Sequence, residues 1–235
     1  MPIALGPYVG RKYDFVRRYI MEYIPFVIKT DIRFVNSVAC LEMIRREYER
    51  FEDFLPHRGD IVFDVGSQYG DYAVICAKLY GAKVVAFEPI ESNIEIMKRN
   101  AILNGVEDRI ECRNIGISDQ KTMTQGNIRF DMFLDEPGGY TVNLDTLDNL
   151  CGEIERIDLL KIDVEGFEFK VLSGGIKTIS RLKPKIIIET HSSELRKKCD
   201  VLLGSLGYTL RHSDKIRKAQ NWMDEVQNRY YSAKP

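Results

Sequence analysis

Asp64-Val65-Gly66-Ser67-Gln68-Tyr69-Gly70-Asp71 is the stretch on which the reading of this chain turns. Before it, Ile61-Val62-Phe63-Asp64-Val65 is a short apolar run, the pattern of a strand covered on both faces in a parallel sheet. After it, Asp71–Tyr80 carries Ala73, Val74, Ala77 and Leu79, and predicts a helix that stops at Gly81. Two glycines four residues apart thus join a strand to a helix. Gly66 is expected to clear space for a ligand against the backbone, and Gly70 to let the helix start close to the strand. A dinucleotide fingerprint would need glycine at Gln68, and a phosphate-binding loop would need Gly-Lys-Ser/Thr; neither is present. Asp71 sets a carboxylate at the helix N-terminus, which suits a zwitterionic ligand better than a pyrophosphate.

Outward from this turn, strand and helix patterns alternate. Lys83–Phe87 predicts the second strand, Glu91–Leu103 the second helix, and Ile110–Ile117 the third strand. Ile157–Val164 predicts the fourth strand, Phe167–Leu182 a helix broken at Gly174-Gly175, Lys185–Thr190 the fifth strand and Ser193–Leu206 a helix. Tyr208–Arg211 and Arg229–Ala233 are read as a closing antiparallel pair, and Ser118–Asn149 as an irregular stretch. Such alternation implies an α/β, doubly wound, mostly parallel sheet whose ligands sit beyond the carboxyl ends of its strands. The turn signals at residues 56–60 divide the chain into an appendage, 1–55, and a main domain, 56–235. Within the appendage, Leu41, Ile44, Tyr48, Phe51 and Leu55 fall at helical spacing, and residues 23–35 suit an extended segment.

Glu88 ends the second strand 24 residues after Asp64, the interval at which a carboxylate meets a ribose diol. The plainer reading is that it caps the helix that follows. Lys161, a cation inside an apolar strand, must be paired, with Asp64 or Glu189 as partner.

The motifs Asp64–Gly70, Ala86-Phe87-Glu88-Pro89, Asn100 with Asn104-Gly105, and Thr146–Leu150 occur here in order. They are followed by Lys161-Ile162-Asp163-Val164-Glu165-Gly166-Phe167-Glu168, Val171–Gly175 and Ile188-Glu189-Thr190-His191. Together, over residues 59–210, they resemble the FkbM family of S-adenosylmethionine-dependent methyltransferases. The glycine turn departs from the family's common Gly-Ala-Asn-Ile-Gly. The resemblance implies a Rossmann-like sheet of the class I methyltransferase type, with S-adenosyl-L-methionine held by Asp64, Gly66, Ser67, Gln68, Tyr69, Gly70, Glu88, Pro89 and Asp163. Methylating a hydroxyl also needs a base in reach of its oxygen. Asp163, Glu165 and His191, at the ends of the fourth and fifth strands, are the candidates. No metal is expected.

The acceptor that this resemblance implies is a saccharide, a lipid or another small molecule. An RNA base methyltransferase is the alternative, since the Asn100-x-x-x-Asn104 helix also resembles archaeal tRNA guanine methyltransferases; a non-catalytic binding module is the third reading. Against RNA, Asp163-Val164-Glu165-Gly166 stands where an Asn-Pro-Pro-type motif would receive a base amine. The 34 Lys and Arg balance 35 Asp and Glu, so no overall field attracts a polyanion. The 235 residues hold no apolar stretch long enough to span a bilayer, and the N-terminal pattern, with Arg11 and Lys12 after its apolar residues, differs from a signal peptide. Five scattered cysteines without C-x-x-C spacing suit reduced thiols and a cytoplasmic setting.

Overall fold

The computed structural model describes residues 26–28, 32–35, 48–129, 132–134, 138–217 and 225–234. In chain order the elements are β1 (Phe26–Ile28), β2 (Ile32–Phe34), β3 (Ile61–Val65), α1 (Asp71–Leu79), β4 (Lys83–Phe87), α2 (Glu91–Asn104) and β5 (Ile110–Arg113). There follow β6 (Gly116–Ile117), β7 (Thr122–Arg129), β8 (Met132–Leu134), β9 (Tyr140–Asp145), α3 (Leu147–Leu150), β10 (Leu159–Ile162) and α4 (Glu168–Ser173). The last are α5 (Ile176–Leu182), β11 (Lys185–Thr190), α6 (Ser193–Ser205), β12 (Tyr208–Ser213) and β13 (Gln227–Ala233).

The main sheet has the order β12-β13-β11-β10-β3-β4-β5, with β5, β4, β3, β10 and β11 parallel and β13 antiparallel to both its neighbours. From β3 the chain builds outward through β4 and β5, then returns to add β10 and β11 on the other side. Strand order therefore reverses between β3 and β10, which opens a crevice beyond their carboxyl ends. Pairing there sets Lys161 opposite Asp64, and the Asp163 amide donates to the Val65 carbonyl at 3.0 Å.

Alternation along the strands divides the core in two. Val62, Val84, Ala86 and Leu159 pack on the side of α1 and α2 with Val74, Ile94 and Met97. Phe63, Val65, Phe87, Leu160 and Ile162 pack on the other side with Val171, Leu172, Ile179 and Leu203. Asp64 and Lys161 share the first face by the same alternation. Helix ends follow local chemistry: Gly105 closes α2 at φ +64°, and the Ser192 and Thr146 hydroxyls accept from the Leu195 and Asn149 amides.

Two expectations for the main domain need correction. The run Ile110–Ile117 is not one strand: β5 belongs to the main sheet and β6 to a second sheet of order β6-β9-β7-β8. Between them the Asn114 amide donates to the carbonyls of Glu88 and Pro89, both at 3.1 Å, and turns the chain out of the main sheet. The supposedly irregular Ser118–Asn149 supplies most of that second sheet, with Thr122 opposite Leu144 and Gly126 opposite Tyr140. Its strands were hard to see because they bury little: Val142 and Leu144 face inward while Met123 lies on the surface.

Of the first 55 residues, β1 and β2 form an antiparallel pair; the helix expected over residues 41–55 does not extend through 48–55, which holds turns and one 3-10 turn at Glu52–Phe54, and its part before Tyr48 lies outside the described residues. β2 is fastened to α2. Asn104 Oδ1 accepts from the Arg33 amide at 2.9 Å and its Nδ2 donates to the Arg33 carbonyl at 2.6 Å. Asn100 Oδ1 accepts from the Val35 amide at 2.8 Å while its Nδ2 donates to the Tyr69 carbonyl, also at 2.8 Å. One asparagine so ties the N-terminal segment to the glycine turn. Among the described residues, no helix is long and apolar enough to cross a membrane.

Candidate functional site

At the end of β3 the backbone turns through three left-handed residues, Gly66 at φ +80°, Gln68 at +44° and Gly70 at +75°. Both glycines also answer to the fold itself. A Cβ on Gly66 would lie 1.8 Å from the Asp163 carbonyl oxygen, so Gly66 permits the turn after β3 to touch the turn after β10. A Cβ on Gly70 would lie 2.4 Å from Met97 Cγ, so Gly70 accommodates α2. The Ser67 hydroxyl donates to the Asp64 carbonyl at 2.6 Å and tightens the bend. Tyr69 points into the core, 2% exposed, and offers only backbone to the crevice side of the turn.

Glu88 stands at the end of β4, 5% exposed. Its Oε2 accepts from the Gln68 amide at 3.0 Å; its Oε1 accepts from the Ile90 amide at 3.0 Å and Asn93 Nδ2 at 3.1 Å. Glu88 thus braces the entry to α2 through the Ile90 amide and the Asn93 side chain, and also grips the glycine turn, but it caps no amide of the first helical turn. A carboxylate offers about four lone-pair sites, so about one remains for a ligand hydroxyl. Burial raises the Glu88 carboxyl to about 7 against the pull of these donors and of Lys161. Pro89 follows it, with its carbonyl taken by Asn114.

Beyond β10 the arrangement is ionic. Lys161, 3% exposed, lies 3.1 Å from Asp64 Oδ1, donates to the Gly66 carbonyl at 3.0 Å and stands 3.9 Å from Asp163 Oδ2. Burial disfavours its charge, but Asp64 and then Asp163 more than compensate and keep the ammonium protonated. The partner expected for Lys161 is therefore Asp64, with Asp163 at longer range.

His191 closes the cluster from the end of β11. Its Nδ1 meets Glu168 Oε1 at 2.6 Å; its Nε2 lies 3.2 Å from Glu165 Oε2 and 3.6 Å from both Asp163 Oδ1 and Glu189 Oε1. Burial lowers the imidazole, yet the hydrogen bond to Glu168 and the charges of Glu165, Glu168 and Asp163 raise it to about 10. It is an imidazolium at neutral pH. Burial and the carboxylates of Asp163, Glu189 and Glu168 push Glu165 up to about 8 against His191. Its backbone sits at φ +50°, a left-handed conformation that costs a non-glycine residue about 1–3 kcal/mol. Glu189 is held by Arg217 Nη2 at 2.9 Å. Ligand atoms of Asp163, Glu189 and His191 come within 4.8 Å of one another. A cation there would need the neutral imidazole, which this cluster of carboxylates disfavours.

The structure places Asp64, Asp163, Glu165 and His191 in one ion-paired cluster with Lys161 beyond the carboxyl ends of β3, β10 and β11, and joins Glu88 to the glycine turn through the Gln68 amide. Tyr48, Glu168 and Arg217 also reach the cluster, beyond the residues the sequence points to. In sequence Tyr48 belongs to an apolar stripe, and nothing local distinguishes a tyrosine that packs from one whose hydroxyl meets a carboxylate. Glu168 does carry a local signal, since it ends the Lys161–Glu168 motif.

The buried carboxylates beside a glycine turn match what the ammonium and ribose diol of S-adenosylmethionine require, and Asp163 Oδ1 accepts no hydrogen bond from any described residue. A family model described as the methyltransferase FkbM domain matches residues 64–230. Methyltransferase sdnD of Sordaria araneosa is 24% identical, with 74% of this chain and 86% of the relative covered. Hexuronic acid methyltransferase AglP of Haloferax volcanii is 28% identical, with 74% of each covered. Among solved structures, a protein of the NADB-Rossmann superfamily from Streptococcus agalactiae superposes with a TM-score of 0.53 at 14% identity, over 80% of this chain and 68% of that one, which shows the shared fold. The crevice at the β3/β10 reversal, the order of its motifs and the length of the family match converge: the chain belongs to the FkbM family and is a methyltransferase with S-adenosylmethionine as its cofactor.

Proposed function

We propose that this enzyme methylates a hydroxyl group of a saccharide, a lipid or a comparable small molecule, with Asp163 as the group that receives the hydroxyl proton. The observation that carries this reading is the Asp163 carboxylate. It follows β10, its Oδ2 is oriented by Tyr48 and Lys161, and its buried Oδ1 accepts no hydrogen bond from the described residues. A hydroxyl is a weak nucleophile unless its proton is taken as it attacks, and so needs such an acceptor; a neutral amine can attack first and lose its proton afterwards.

When bound, S-adenosylmethionine supplies an electrophilic methyl group on a sulfonium. The chain's own contribution is to hold, orient and take up a proton. Asp64, beside Lys161, would face the cationic end of the cofactor, while the backbone from Gly66 to Gly70 would line its path. Glu88 would accept a ribose hydroxyl through its remaining lone pair, with Pro89 beside it. His191, held as an imidazolium by Glu168, suits orientation of Glu165 and Asp163 better than proton abstraction at neutral pH. Glu165 would meet the acceptor with its proton on.

Support for a saccharide comes from the hexuronic acid methyltransferase named above, at 28% identity. Calorimetry with S-adenosylmethionine, followed by transfer from labelled donor to panels of glycans, lipids, small alcohols and tRNA, tests the proposal. Label entering a hydroxyl-bearing small molecule, lipid or glycan as an ether is expected. Label entering only tRNA bases, or tight donor binding with no transfer to any panel, would set the reading aside.

A further inference from the structure

We propose that Tyr48, which precedes the family match at residues 64–230, is a positioning residue for Asp163, so that the reactive constellation is completed by the N-terminal segment. The inference rests on the assignment of Asp163 as proton acceptor. The Tyr48 hydroxyl donates to Asp163 Oδ2 at 2.7 Å, across 115 residues of sequence. Its ring is buried, lies edge-on to Tyr72 with centroids 5.3 Å apart, and carries Lys161 Nζ 5.1 Å from its centre.

Three features give this contact its meaning. First, Tyr48 and Lys161 both address Oδ2, which pins the carboxylate rotamer and leaves Oδ1 as the oxygen turned toward His191 Nε2. A hydrogen bond to a charged acceptor is among the stronger ones, and a base must be placed to within a few tenths of an ångström to act. Second, the residues after Tyr48 are anchored independently: Tyr80 donates to Glu49 Oε1 at 2.5 Å, Phe51 stacks on His212 at 4.1 Å, and Phe54 meets Tyr230 edge-on at 5.4 Å. The hydroxyl is thus delivered from a supported segment. Third, β2, upstream in the same segment, is bolted to α2 through Asn100, which also holds the Tyr69 carbonyl. The N-terminal segment is thus tied to the donor turn through Asn100 and meets the carboxylate beyond β10 directly.

The test is a double-mutant cycle on the full chain with Tyr48→Phe, which keeps the ring contacts, and Asp163→Ala. Single-turnover transfer to the acceptor found by the panel is measured with donor saturating, and donor affinity by calorimetry. Tyr48→Phe is expected to slow transfer by on the order of tenfold while donor affinity changes by less than about threefold. In the Asp163→Ala background the same substitution should cause no further loss, since the hydroxyl acts only through that carboxylate. An unchanged rate, or equal losses in both backgrounds, overturns the inference. If the unaltered enzyme transfers to no acceptor, the proposed function fails separately, and the cycle is read in denaturant instead. A shift in unfolding midpoint on Tyr48→Phe that persists in full without Asp163 then overturns the pairing, and one that vanishes supports it.

Discussion

The two sides of the crevice are built by different means. On the donor side, between β3 and β4, the surfaces are mostly backbone: Gly66, Ser67, Gln68 and Gly70 turn in left-handed or tightly bonded conformations, and one carboxylate, Glu88, holds them. On the far side, beyond β10 and β11, the surfaces are side chains: Asp163, Glu165, Glu168, Glu189 and His191 crowd together, with Lys161, Tyr48 and Arg217 set against them. A backbone-lined turn binds one invariant shape. A charged cluster holds and moves protons, because neighbouring charges spread its protonation over a wide pH range.

The largest effect that would expose the contact between the two sides is expected for Gly66→Val. Its side chain would collide with the Asp163 carbonyl, so the expected outcome is loss of the cooperative unfolding transition, and not a folded protein that merely binds donor poorly. Circular dichroism with and without donor checks this; a stably folded Gly66→Val would mean that the two turns can part.

Asp163→Asn comes next. It retains shape and loses the charge that receives a proton, so single-turnover transfer should fall by about 10²–10⁴-fold while donor affinity changes by much less. Equal losses in rate and affinity would place Asp163 on the donor side of the comparison.

Glu88 sharpens the contrast through pH. Its folded-state value, raised from the usual 4.5 to about 7, means that the proton is held more tightly in the folded chain. The stabilisation this provides is present below about 4.5 and is lost as pH rises through about 7. A ribose hydroxyl, by contrast, prefers the ionised carboxylate. Donor affinity should therefore increase as pH rises through about 7, and Glu88→Gln should flatten that dependence and cost about 1.5–3 kcal/mol of binding at pH 8. Calorimetry across pH 5.5–8.5, a range on the order of one and a half units either side of the transition, reads both.

The smallest effect is expected for Asn104→Ala. It removes the paired bonds to Arg33 and the one to the Asn100 carbonyl without changing a residue of the glycine turn or the charged cluster, so unfolding should become easier by about 1–3 kcal/mol while donor affinity is unchanged. Asn100→Ala, which also releases the Tyr69 carbonyl, should by comparison weaken donor binding as well.

Wherever a signal is local, it was readable in the chain. The apolar run of β3, the glycines after it, Glu88 at the end of β4 and β11 at Lys185–Thr190 all follow from patterns only a few residues long. Parallel strands bury both faces and so announce themselves; β7 and β9, which bury one sparse face, did not. What a glycine is for proved less legible than that one is needed: the atoms that exclude a side chain at Gly66 belong to Asp163.

The sequence by itself determined the alternation of elements, the turn for a zwitterionic nucleotide-like ligand, and the need for Lys161 to find an acid, because propensity, spacing and desolvation act within short stretches of chain. Only the tertiary structure decided that this acid is Asp64, that His191 is held protonated by Glu168, and that the hydroxyl of Tyr48 meets Asp163. Those pairings depend on which strands become neighbours and in what register. That choice is made by the burial of the whole sheet, and no short stretch of residues records it.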